Sequence, residues 1–243
     1  MQGRRFSLRP EALWRKVDSM ATRSTAEEHL RIIRSLMEKA TIYRAISVPT
    51  ALVGGCAGIL AAAFFHFSWR PGDSRQAESH LFLGCWLTAL VIAAVGNIYF
   101  LRADARRRGE KFVSAGMRAA LRALWPSYLV AATLTILWMD SAELLPVWWM
   151  LLYGLGLLGT QHFAPRSITL LGWAFLIAGL LAMIGSHWAG ALVGREDGML
   201  LAGNLAMGLT FGGFHLIYAV CAWPRASRVV EGRGEAMDAG NAP

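Results

Sequence analysis

The chain has 243 residues, of which 55% are hydrophobic and 16% are charged, and its net charge is +8. Soluble domains carry about 25% charged residues. Here the charge disappears from six long apolar windows and is concentrated between them, which excludes an ordinary soluble domain. The pattern predicts an all-α integral membrane protein with six transmembrane helices and an N-terminal amphipathic helix. Because the basic residues flank the apolar windows, we attribute them to membrane topology and predict no nucleic acid as a partner.

This organisation divides the chain into three parts. Residues 1–44 form a cytoplasmic, basic and amphipathic segment, residues 45–223 a six-span membrane domain, and residues 224–243 a disordered cytoplasmic tail. The first apolar window begins only after residue 43 and is too long for the apolar part of a signal peptide, so no cleaved signal is expected. The three cysteines fall in different windows and form no CxxC pair, which indicates neither a disulfide framework nor a zinc site.

Residues 26–43 are expected to form the amphipathic helix. Ser24 and Thr25 precede Glu27 and Glu28 at the spacing of a capping box. Apolar residues then follow at helical intervals, at Leu30, Ile33, Met37 and Ala40. The simpler interpretation is a helix that lies on the lipid headgroups. The alternative is a docking helix for a cytoplasmic or membrane protein partner.

The apolar windows place the six spans at residues 45–67, 80–101, 123–139, 144–160, 168–188 and 199–223. Glycines in span one, at Gly54 and Gly58, permit close approach of another helix. Small residues in spans four and five predict that these two spans pack against each other. Pro126 is expected in the first turn of span three. Between spans two and three, residues 102–124 carry seven basic residues and a partly apolar side, which predicts a helix on the surface of an anionic leaflet.

The basic residues are distributed very unevenly between the two sides of a six-span protein. One side receives 21 of the 24 Lys and Arg residues, and the other receives only Arg70, Arg75 and Arg195. The positive-inside rule therefore predicts that both termini are cytoplasmic. An odd number of spans would remove this asymmetry. The expected partner is a lipid bilayer whose cytoplasmic leaflet is anionic.

No Asp, Glu, Lys or Arg lies in the middle of a predicted span. Ionisable residues inside a membrane are costly and usually functional. Ion-coupled transporters place carboxylates there, and intramembrane proteases need paired carboxylates, a Ser–His arrangement or HExxH. The sequence therefore favours neither class, and it predicts no catalytic residue and no metal site.

Span six is the polar exception. Five of its residues lie three or four positions apart, except for one adjacent pair, and are expected to share a helix face. They are Asn204, Gly208, Phe211, Gly212 and His215. This face either packs against another span, with His215 donating a hydrogen bond there, or forms a polar pocket. In the second case Asn204 and His215 would bind a small molecule or a lipid headgroup. A haem would need a second histidine at matching depth, and the others near the spans lie at span ends, so no cofactor is predicted.

Three stretches resemble a group of bacterial multi-pass inner-membrane proteins to which no activity is assigned. They are residues 36–49, LMEKATIYRAISVP, which run into the Gly-Gly pair at 54–55; residues 153–154 in span four; and residues 211–215, FGGFH, in span six. The resemblance implies a location in a bacterial inner membrane. Our first hypothesis is a non-enzymatic interaction or regulatory component. The second is a transporter or binding protein for a small molecule or lipid, with a site around Asn204 and His215.

Overall fold

The computed structural model describes residues 28–29, 48–70, 72–109, 115–193 and 198–222. Within them, six helices are long and apolar enough to cross a membrane, which confirms the predicted all-α, six-span fold class. The predicted amphipathic helix at 26–43 lies outside the described residues except for Glu28 and His29, which are helical. The rest of the 1–44 segment and the tail at 224–243 also lie outside them.

The helices are α1 (Val48–Ser68), α2 (Arg75–Arg108), α3 (Ala115–Leu137), α4 (Leu145–Gly159), α5 (Arg166–Val193) and α6 (Met199–Ala222). A single 3-10 turn, Ala142–Leu144, leads into α4. Helix α6 is not uniform along its length. It is α-helical over Met199–Met207, π-helical over Gly208–Phe214, and α-helical again to residue 222.

The prediction of a separate surface helix over 102–124 is wrong for the described residues. Helix α2 continues without a break to Arg108 and ends where Gly109 takes a φ of 66°, a conformation that glycine adopts without strain. Helix α3 has already begun at Ala115, so Pro126 lies in the interior of a helix and not in its first turn. At 1.5 Å per residue α2 is about 51 Å long, so it reaches well beyond a hydrocarbon core of about 30 Å.

The connections α1–α2 and α3–α4 and the start of α6 meet at one end of the bundle. From the start of α2, Gln76 Nε2 and His80 Nε2 lie 3.0 and 3.1 Å from Oδ1 of Asp140, which follows α3. A Cβ on Gly203, near the start of α6, would lie 2.7 Å from Pro146, at the start of α4. Consecutive helices therefore alternate in direction. We call this end the Asp140 end, and the opposite one, at which α2 finishes, the Arg106 end.

Helix α6 lies between two groups of helices. On one side it packs against α1, which also packs along α2, and on the other side it contacts α4 and α5. The predicted packing of α4 on α5 is confirmed, since a Cβ on Gly154 would lie 2.9 Å from the carbonyl oxygen of Gly172. Helix α3 is peripheral and packs mainly against α4. Only 6% of the residues in its apolar window are buried, against 50% for the span that contains α4.

Candidate functional site

Asn204 joins three helices. It lies in the first α-helical part of α6 and its side chain is 0% exposed. Its Oδ1 accepts a hydrogen bond of 2.9 Å from Nε1 of Trp86 on α2, and its Nδ2 donates one of 3.0 Å to the carbonyl oxygen of Ala62 on α1. Because an indole N–H only donates and a carbonyl only accepts, these partners fix the orientation of the amide. Both polar atoms of Asn204 are thus engaged by other helices of the bundle.

His215 makes the second polar contact, with Tyr153 on α4. Its Nδ1 lies 2.8 Å from the carbonyl oxygen of Phe211, and its Nε2 lies 2.9 Å from the Tyr153 hydroxyl. A carbonyl only accepts, so Nδ1 carries a hydrogen. In the neutral ring Nε2 is then the acceptor, and the Tyr153 hydroxyl donates to it. Both side chains are partly buried. This pair fits the packing interpretation of His215, because the ring bonds to a hydroxyl of another span, but His215 accepts this bond, whereas the sequence predicted that it donates one.

Aromatic rings fill the space between the two polar contacts. The ring of Phe211 lies 6.2 Å from that of Trp86, 5.1 Å from that of Tyr153 and 4.8 Å from that of Phe175, measured between centroids. Tyr153 and Phe175 are themselves 4.7 Å apart in an edge-to-face arrangement. These are the spacings of rings in direct contact. The four rings therefore form a packed aromatic cluster that connects α2, α4, α5 and α6.

Glycines bring α6 against α1. A Cβ on Gly58 would lie 3.0 Å from the backbone nitrogen of Gly212, and one on Gly55 would lie 3.1 Å from the carbonyl oxygen of the same residue. Backbones approach this closely in membranes where small residues line the contact. The sequence predicted this role for Gly54 and Gly58, but Gly54 faces α2 instead. Gly213 borders open space and takes no part in the contact.

The structure does not bring Asn204 and His215 to one point. Asn204 is turned to α1 and α2, whereas His215 is turned to α4. The prediction of a shared face, which assumed 3.6 residues per turn along the whole span, is therefore wrong. The π-helical part, Gly208–Phe214, contains wider turns with i→i+5 hydrogen bonds. One additional residue corresponds to about 100° of rotation in an α-helix, which redirects the residues that follow. Ligand binding by the two residues stays a prediction.

The sequence did not identify Trp86 and Tyr153 as the hydrogen-bond partners of Asn204 and His215. Trp86 is 5% exposed and lies well inside a span, although membrane tryptophans favour the interfaces. A buried tryptophan or tyrosine usually finds a hydrogen-bond partner, so this position was an available signal. The helix that supplies the partner could not be read from the sequence.

The chemistry of the site follows from these groups. Among the described residues, no three His, Cys, Asp or Glu side chains come together in a way that could hold a metal ion. The polar atoms near the aromatic cluster belong to an amide, an imidazole, an indole and phenol groups, which exchange hydrogen bonds with one another. Such groups can hold helices together or orient a neutral polar ligand.

Comparison with known proteins adds no relative: no protein-family model, curated protein or solved structure matches the chain.

Proposed function

We propose that the chain is a non-enzymatic, multi-pass protein of a bacterial inner membrane that acts as an interaction or regulatory component, with both termini in the cytoplasm. The observation that carries this proposal is the contrast between the inside and the ends of the bundle. Inside, Asn204 and His215 are bonded to other helices of the same chain. At the Arg106 end, Arg106 and Arg107 of α2 and Arg122 of α3 are exposed, and such charges suit contact with a cytoplasmic or lipid partner.

The orientation has a direct test. A reporter fused after Pro243, and one inserted after Gly109, should both read cytoplasmic. A reporter inserted after Gly72, in the α1–α2 connection, should read periplasmic and serves as the internal control. The reason is the positive-inside rule applied to 21 basic residues against three. A periplasmic signal after Pro243 would overturn the proposed topology.

The interaction role is tested by cross-linking in native membranes, purification of the tagged full chain, and identification of proteins that co-purify. The variant Arg106→Glu/Arg107→Glu reverses two exposed charges at the Arg106 end, and Arg70→Glu reverses an exposed charge at the other end. We expect a partner that is recovered with the wild type and with Arg70→Glu, and lost with the double variant. Recovery that is equal for all three chains would contradict a role for the cytoplasmic end.

The second candidate function is binding or transport of a small molecule or lipid near His215. It is favoured by one observation: Tyr153 and His215, whose hydroxyl and Nε2 lie 2.9 Å apart, are both only partly buried. The polar groups of the Tyr153–His215 pair are therefore not sealed completely inside the bundle. If a bound compound co-purifies with the wild type and is lost in His215→Ala, this second function gains support. An unchanged fold, partner set and bound compound in His215→Ala would argue against any special role of His215.

A further inference from the structure

We draw no further inference here: the strongest candidate, the exposed apolar face of α3 formed by Leu121, Trp125 and Leu129, carries none because nothing in the structure shows what covers it.

Discussion

Replacing Asn204 by leucine tests whether hydrogen bonds between helices hold α6 in place. The two side chains are similar in size, so the substitution removes the polar atoms and keeps most of the volume. It abolishes the bonds from Trp86 and to Ala62, which are 2.9 and 3.0 Å long. It also leaves the indole N–H of Trp86 without its partner at a position that is 5% exposed.

The expected cost follows from these losses. A side-chain hydrogen bond between membrane helices contributes about 0.6 kcal/mol on average and up to about 1.7 kcal/mol. An unsatisfied buried donor costs about 1–3 kcal/mol. We therefore expect Asn204→Leu to lower the free energy of unfolding by about 2–4 kcal/mol. The variant Trp86→Phe removes the indole N–H and keeps an aromatic ring. In a double-mutant cycle of Asn204→Leu with Trp86→Phe, the coupling energy should be about 0.6–1.7 kcal/mol.

The measurement is an unfolding titration in mixed micelles of a mild detergent and dodecyl sulfate, followed by near-UV circular dichroism. Thr88→Ala is the control, because Thr88 is exposed and its hydroxyl donates a hydrogen bond of 2.7 Å to the carbonyl oxygen of Gly84 in its own helix. A surface change of this kind should stay within about 0.5 kcal/mol. If Asn204→Leu unfolds like the control, or if the two changes at Asn204 and Trp86 are additive, the role assigned to the amide is refuted.

Two further predictions use the same titration. Gly58→Leu should destabilise the bundle by at least about 2 kcal/mol, because its Cβ would press on the α6 backbone at 3.0 Å. Gly213→Ala, where a Cβ meets open space, should be neutral or stabilising by up to about 1 kcal/mol through helix propensity; equal effects at both glycines would contradict the contact. Tyr153→Phe removes the hydroxyl bonded to His215 and should cost about 0.6–1.7 kcal/mol with the ring contacts intact, so stability equal to the wild type would show that this bond contributes nothing.

The six spans were predictable because a lipid environment restricts the sequence strongly. Backbone groups in hydrocarbon must be satisfied internally, so a long apolar window without charge is read as a helix. The start of α6 at Met199 was predicted, and the helix continues to Ala222, the last described residue. The end of α2 and the start of α3 were not predicted, because hydropathy marks where the membrane stops and not where the helix stops. The signal for the end of α2 was Gly109, which adopts the left-handed conformation.

The candidate site was predictable only in part. Asn204 and His215 were recognised because they are polar residues in an uncharged span. Their partners are separated from them by 118 and 62 positions in the chain, and no local pattern links residues so distant. The direction of His215 depends on the π-helical part of α6, and a periodicity of 3.6 residues does not reveal such a part.

The π-helical part explains how one helix can hold two groups of helices together. With a regular α-helix, Asn204 and His215 would lie close to one face and would meet the same neighbours. The wider turns allow Asn204 to bond to α1 and α2 while His215 bonds to α4. Deletion of Gly213, which borders open space, should convert this part to α-helix and leave the direction of His215 unchanged, because one residue and the wider turn that accommodates it are removed together.

Two double-mutant cycles then report separately on the two contacts of α6 in the deletion variant. The coupling between Asn204 and Trp86 should persist, because both residues precede the deletion or lie on another helix. The coupling between Tyr153 and His215 should persist as well, because the shortened α-helix presents the imidazole to α4 in the same direction. Loss of both couplings would mean that the deletion unfolds the bundle, and Gly213→Ala, which keeps the chain length, controls for loss of the glycine itself. If only the coupling between Tyr153 and His215 is lost, the π-helical part does not accommodate one additional residue, and the explanation of how it directs His215 to Tyr153 fails.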